Sequence, residues 1–391
     1  MLLLLLSFSI NIILTSAITS SHKTFQKYNS RLYADLFTDY RREMSPYNGH
    51  GISNDSYPSE PVTISLQYAR LIRVLEPELQ HQNLVGIVLD WRDPRLGWNP
   101  ADYGGIDHIY TNRFTVWIPE FYPCESSQGV MVAPEFSLSI RLNYTGHLNT
   151  FIVFSAFYSC EFDVRRFPFD RQSCFYCFIY IHYDKTDELT FEMRKNEGAY
   201  IYDTSEWALG VNDSASIYSP SRDFGFNMGL LYYNITLTRR PQFWIGLVIT
   251  PTFVIGSLII IGLFFGQATD VINNGIGLGL TTMMSMMVIV GILADAIAKS
   301  QYIPILGWYI IAEIVIITLA VFALLSEKAI YKLISSIINA TCRESKLGSS
   351  PNSKRRIVKE WLIEKGKYSN ILLFFVFFLA HAINIIVLFT A

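Results

Sequence analysis

Four long apolar runs close this chain, at about Phe243 to Phe265, Ile272 to Ala294, Ile303 to Leu325 and Ile371 to Leu388. Each is long enough to cross a hydrocarbon core about 30 Å thick at a rise of about 1.5 Å per residue. Lipid leaves a backbone no partner but itself, so such runs read as helices. Only short links separate the first three, which makes them antiparallel neighbours. The text before Arg240 differs. It is rich in Tyr, Asp, Asn and Pro and alternates apolar with polar residues over short stretches.

That alternation predicts strands. Val62 to Gln67, Phe136 to Leu142, Leu189 to Met193 and Ile235 to Thr238 follow a period of two, and Leu84 to Leu89 is a short apolar run suited to a buried strand. Asn48-Gly49, Gly104-Gly105 and Thr145-Gly146 are turn signals, and Tyr33 to Tyr40 reads as a short helix. Met1 to Ala17 is leucine-rich and ends in small residues, which reads as a secretory signal peptide, with a retained anchor as the alternative. Residues 326–370 carry ten Lys or Arg against four acids, which places them in the cytoplasm. The fold expected is β plus membrane α, an extracellular antiparallel β-sandwich followed by a four-helix transmembrane bundle. Its divisions are a signal peptide over 1–17, an extracellular domain over 18–240, three spans over 241–325, a basic cytoplasmic loop over 326–370, and a fourth span with a short extracellular end over 371–391.

A lumenal first half permits disulfides among Cys124, Cys160, Cys174 and Cys177, and leaves Cys342 reduced in the cytoplasm. Sequons at Asn54, Asn143, Asn212 and Asn234 suit the same compartment, and one at Asn339 falls on the cytoplasmic side. A formal net charge of −2 argues against nucleic acid as a partner. The seven His show no metal-ligand spacing, and no catalytic constellation or phosphate loop stands out, so neither a cofactor nor an enzyme is expected.

Cys160 and Cys174 bracket thirteen residues that include Phe167-Pro168-Phe169-Asp170. Upstream lie Trp91-Arg92-Asp93 with Leu96 and Trp98, then Asn99-Pro100, Tyr103 and Gly104-Gly105, then Trp117-Ile118-Pro119-Glu120 and Tyr144-Thr145-Gly146. Downstream are Arg239-Arg240, just ahead of the first span, and Ile303-Pro304 with Gly307 and Tyr309. In this order and spacing the set resembles the Cys-loop receptors, the pentameric ligand-gated ion channels, and its extracellular text resembles their nicotinic branch.

The resemblance implies one subunit of a homo- or hetero-pentamer in the plasma membrane, at synapses in many members, that opens an ion pore when a small neurotransmitter-like molecule binds between subunits. It implies a Cys160–Cys174 disulfide. Closing a loop of that length removes unfolded-chain entropy worth roughly 3 kcal/mol. Phe167-Pro168-Phe169 then forms a stiff apolar wedge that seats on the helix tops, with a purely structural staple as the alternative. The resemblance also pairs Glu76 with Arg239 or Arg240, the alternative being two interfacial anchors. Cys124 and Cys177 are either a second disulfide or two buried thiols.

The second span, about 272–295, carries Gly277, Thr281, Met284, Val288, Ile292 and Asp295 at spacings of three and four, hence on one helix face. Around a fivefold axis this face gives a small polar inner half, an apolar constriction near Met284 and Val288 and an outer carboxylate ring. Its inner end reads Asn273-Asn274-Gly275, which matches neither the cation nor the anion pattern of the family. Asp295 and the nicotinic-like extracellular text favour cations, and the Gly-Leu-Gly-Leu-Thr-Thr stretch keeps an anion channel as the alternative.

The family's aromatic ligand box is eroded. Its tryptophans fall at Ile181 and Gly86, and the adjacent cysteine pair of its capping loop is missing between Trp207 and Tyr233. Phe121, Tyr122, Tyr183, Tyr218, Phe224 and Phe226 are the aromatic candidates that remain, with core packing as the alternative for each. The subunit then either binds another ligand, takes half of its site from a partner subunit, or mainly builds pore, and a non-conducting accessory or ligand-binding subunit is the rival function.

Overall fold

The computed structural model describes residues 22–47, 60–124, 131–132, 139–182, 191–218, 227–265, 271–297, 302–344 and 351–390. The expected signal peptide, Asn48-Gly49 and Asn54 lie outside them. Helix α1 covers 22–37, earlier in the chain than Tyr33 to Tyr40 suggested, and buries Leu32 against the β domain.

Eleven strands follow among the described residues: β1 (Val62–Leu75), β2 (Gln80–Arg92), β3 (His108–Asn112), β4 (Tyr122–Pro123), β5 (Met131–Val132), β6 (Ser139–Asn143), β7 (His147–Ser159), β8 (Arg171–His182), β9 (Phe191–Tyr202), β10 (Trp207–Tyr218) and β11 (Asn227–Arg239). One sheet runs β3-β6-β7-β2-β1-β9, with β5 also on β7, and the other runs β10-β11-β8-β4. Val62, Ile64 and Leu66 point inward at a period of two, and Ile87, Leu89 and Trp91 join them from β2. They meet Tyr176, Phe178, Leu231, Tyr233 and Ile235 from the facing sheet. One pairing departs from an all-antiparallel sandwich: β1 and β9 run parallel, because the chain crosses between sheets before β9 returns to the β1 edge.

The core also holds polar groups. His81 and Asn83 of β2 are fully buried and hydrogen-bonded to each other. Tyr176 donates to Asn83 Oδ1 at 3.1 Å, and His81 stacks on Tyr158. His81 Nε2 and the Tyr158 hydroxyl have no hydrogen-bond partner among the described residues. Burial pulls the His81 imidazole down to about 4, so it stays neutral at physiological pH.

Four long helices complete the described chain: α2 (Gln242–Phe265), α3 (Val271–Ala296), α4 (Ile305–Glu344) and α5 (Pro351–Thr390). All four contain a stretch apolar and long enough to cross a membrane. A π-turn at Ile245–Ile249 precedes Pro251, which has no N–H to give the preceding turn. The basic stretch 326–370, read from sequence as a loop, is largely helical. Helices α4 and α5 are each 40 residues long, about 60 Å by rise, and outrun the bilayer. Hydropathy marks where apolar text ends, not where a helix ends, and 327–344 holds no Gly or Pro to break one.

Candidate functional site

Four strand ends converge where the β domain meets the helices. Arg239 closes β11, Asp170 sits one residue before β8, Glu206 one before β10, and Glu76 one after β1. The guanidinium is fully buried and holds all three acids, at 2.8 Å to Glu76 Oε1, 2.7 Å to Asp170 Oδ1 and 2.8 Å to Glu206 Oε1. Its faces are covered by the rings of Phe167, at 4.6 Å, and Trp207, at 4.1 Å. Gln172 donates to Asp170 Oδ2 at 2.6 Å, and Trp244 Nε1 of α2 donates to Glu206 at 3.3 Å. The partner of Glu76 is therefore Arg239. Arg240 turns away, half exposed, to Asp203 at 2.6 Å.

The charges within this cage are unequal. Burial pushes Glu76 up to about 7, and Arg239 only partly offsets it while Asp170 and Glu206 add to it. Glu76 Oε2 is buried without a hydrogen-bond partner among the described residues. Three carboxylates compete for one guanidinium, and Glu76 is the least well served.

The Cys160–Cys174 disulfide is formed, with its Cα atoms 5.3 Å apart, and a second one joins Cys124 to Cys177 at the same Cα separation. Inside the first, the loop reaches three helices. Ile305 and Leu306, at the start of α4, donate their backbone N–H groups to Arg165 O, at 2.9 Å, and Phe167 O, at 3.4 Å. Those are N-terminal donors that α4 cannot satisfy internally. The Phe167 ring is buried edge-on to Trp244 of α2 at 4.8 Å, Phe169 meets Phe389 of α5 at 5.6 Å, and Phe167-Pro168 is a cis peptide. Phe167 is thus the buried part of the wedge, and Phe169 is its more exposed end. Phe167 is a seam between the Arg239 cage and the first helix.

On α3 the stripe read from sequence faces away from the bundle. Gly277, Thr281 and Asp295 are exposed, and Met284, Val288 and Ile292 are 66%, 63% and 60% exposed. Thr282, Met286 and Leu293 face inward instead. Leu280, Ser285, Met287 and Gly291 share the open side. Thr281 and Ser285 donate their hydroxyls back to Gly277 O and Thr281 O.

The aromatic candidates divide. Phe121 is only 6% exposed, edge-on to Phe154 and Phe178 in the core, so it is packing rather than a ligand surface. Tyr122 is 56% exposed beside Cys124. Tyr183, Phe224 and Phe226 lie outside the described residues, and Tyr218 is the last residue of β10. At Gly86, a Cβ would fall 2.6 Å from Phe151 Cζ and 3.0 Å from Tyr68 Cβ. Phe151, 43% exposed, covers the place where the resemblance puts a tryptophan. Glycine inside a strand is the sequence signal for such a close approach. Of the sequons, Asn212 is exposed, and Asn143 and Asn234 are half-buried.

A family model, the neurotransmitter-gated ion-channel ligand binding domain, matches residues 29–241. The chain belongs to the Cys-loop family of neurotransmitter-gated ion channels. It is 27% identical over 334 residues to acetylcholine receptor subunit alpha-type des-2 of Caenorhabditis elegans, covering 81% of this chain and 56% of that one. It is 28% identical to acetylcholine receptor subunit alpha-like 2 of Drosophila melanogaster, over 74% and 51%. With the human neuronal acetylcholine receptor subunit beta-3 it shares 25% identity, over 78% and 65%. The chain spans about half to two thirds the length of these relatives. Within the Cys-loop family frame, the cage residues Glu206, Trp207 and Trp244 are ones that sequence reading missed. They lie far from the bracket in sequence, and no local spacing marks them. Cys-loop channels are not enzymes, which agrees with the expectation from sequence.

Proposed function

We propose that this chain is a subunit of an extracellular ligand-gated ion channel, assembled with four copies or relatives around an axis lined by α3. The observation that carries this is the Arg239 cage. It welds four strand ends to Trp244 of the first helix, and the same loop caps α4. A ligand that binds the open arrangement more tightly shifts the population toward it by its differential affinity. A displacement of the β domain is then passed to the helices through charge-paired, fully packed contacts rather than through a loose hinge.

In this reading Gly277, Thr281, Met284, Val288, Ile292 and Asp295 line the pore, Met284 and Val288 close it by dewetting, and a ring of Asp295 draws cations to the outer mouth. The protein is multi-pass in the plasma membrane, with the β domain outside. Its ligand is a small molecule bound between subunits. Without the box tryptophans at Ile181 and Gly86, the subunit either takes another ligand or borrows half of its site from a partner subunit, and a non-conducting accessory subunit is the rival reading.

Expression in oocytes, alone and with nicotinic relatives, under a ligand panel and ion substitution, tests this. Gated current whose reversal follows cations supports it. Reversal that follows chloride overturns the cation assignment. Surface delivery with no current in any combination overturns the channel assignment.

A further inference from the structure

A polar cluster lies inside the helix bundle, apart from the Arg239 cage and from the pore face. Glu313 of α4 and His381 of α5 are both fully buried, and His381 Nδ1 is 2.7 Å from Glu313 Oε2. Asn384, three residues on from His381, donates to Glu313 Oε1 at 2.7 Å and to Tyr309 O at 3.0 Å. On the far side of the imidazole, Nε2 lies 3.0 Å from Ser257 Oγ and 3.2 Å from Phe253 O of α2, and the Phe253 ring stacks on it. Gly256 makes room, since a Cβ there would come within 2.8 Å of His381 Cε1. Both Glu313 carboxylate oxygens and both His381 ring nitrogens thus have partners, and three helices meet at one point.

Helix α5 needs such a fastening. Its apolar residues Phe375, Leu379, Ile383 and Ile386 are exposed on the outer side of the bundle. In lipid, apolar side chains gain little by leaving acyl chains for protein, so helix attachment falls to close packing and to hydrogen bonds between helices. His381 and Asn384 supply the latter. Phe389, eight residues beyond His381 and about 12 Å along the axis, is the residue that meets Phe169 of the Cys loop.

We propose that His381 and Asn384, seated on Glu313, are positioning residues that pin the fourth helix to the first and third and so hold Phe389 under Phe169. Their contribution to gating rests on the channel reading. Their contribution to helix position does not.

The test replaces Phe389 with photoreactive benzoylphenylalanine in the full-length chain and measures, by mass spectrometry of total membranes, the fraction cross-linked to residues 160–174. Two variants separate a polar pin from simple packing. His381→Phe keeps a ring to stack on Phe253 and removes the bond to Glu313, whereas His381→Gln keeps a donor for Glu313 and removes the ring. A polar pin predicts a several-fold loss of cross-link in His381→Phe and in Asn384→Leu, with most of it retained in His381→Gln. Wild-type cross-linking in His381→Phe, or an equal loss in His381→Gln, overturns the proposal. Because the readout is a cross-link normalised to the amount of chain, a failure of the channel assignment shows separately, as absent current with the cross-link pattern intact.

Discussion

Arg239 Nη2 sits 2.8 Å from Glu76 Oε1, yet Glu76 is only one of three acids on that guanidinium. A simple two-residue charge swap therefore cannot restore the junction. Arg239→Glu would set a fourth carboxylate among Asp170, Glu206 and Glu76. Removing one partner of a buried ion pair costs roughly 3–5 kcal/mol. We expect Arg239→Glu to abolish surface delivery, with or without Glu76→Arg, as measured by surface biotinylation. Glu76→Gln, which loses the least well served acid, should still be delivered.

The cage and the sandwich core respond to pH in opposite directions. Glu76 is raised from an ordinary 4.5 to about 7. The folded protein holds that proton more tightly than the unfolded chain, so this stabilisation is full below 4.5 and is lost as pH rises toward 7. His81 is lowered from 6.5 to about 4, so its stabilisation is full above 6.5 and is lost as pH falls toward 4. Each displacement is worth roughly 3 kcal/mol, and between 4.5 and 6.5 they oppose. Relative to wild type in thermal melts of the detergent-solubilised chain, Glu76→Gln should lose stability on acidification and His81→Phe should lose it on alkalinisation. Parallel profiles for all three would contradict the assignment.

The β-sandwich and the four spans are legible in the sequence because each rests on local pattern, a period of two or a run of apolar residues, and the Cys160–Cys174 pairing is legible through the family resemblance. The Arg239 cage is legible only in part: the resemblance pairs Glu76 with Arg239 or Arg240, whereas Glu206, Trp207 and Trp244 are joined to them by strand ends and a helix start from separate parts of the chain. The helical character of 326–370 is hidden for another reason. Basic residues end the apolar signal without ending the helix. The His381 cluster reads locally as two polar residues, His381 and Asn384, in an apolar span, and only the packing of α2 and α4 against α5 supplies their partners.

If Met284 is the apolar constriction, then Met284→Ser should hydrate it. The expected outcome is standing current without ligand in oocytes, reduced by a pore blocker. Unchanged leak and unchanged ligand response at equal surface delivery would take Met284 out of the pore.

The Cys124–Cys177 bridge closes 53 residues of sequence separation, which on a chain-entropy argument stabilises by about 4 kcal/mol. Cys124→Ser should lower the melting temperature more than the shorter Cys160–Cys174 span would suggest from its length alone, and non-reducing peptide mapping should show Cys177 free. A bridge that mapping fails to find in the wild-type chain would refute the pairing.

Gly86 is fixed by the ring of Phe151. Rebuilding the family tryptophan by Gly86→Trp should destabilise by about 1–3 kcal/mol through overpacking, and Phe151→Ala in the same chain should recover most of it. Equal melting temperatures for Gly86→Trp and wild type would show that Phe151 yields freely.

On the channel reading, Glu76 and Arg239 act together in passing movement from the β domain to the helices. A double-mutant cycle of Glu76→Gln and Arg239→Lys, read as gating free energy from currents at matched surface delivery, tests it most directly. The two changes should be non-additive by on the order of 1 kcal/mol or more, whereas additivity within about 0.3 kcal/mol would mean that the two residues act independently in gating.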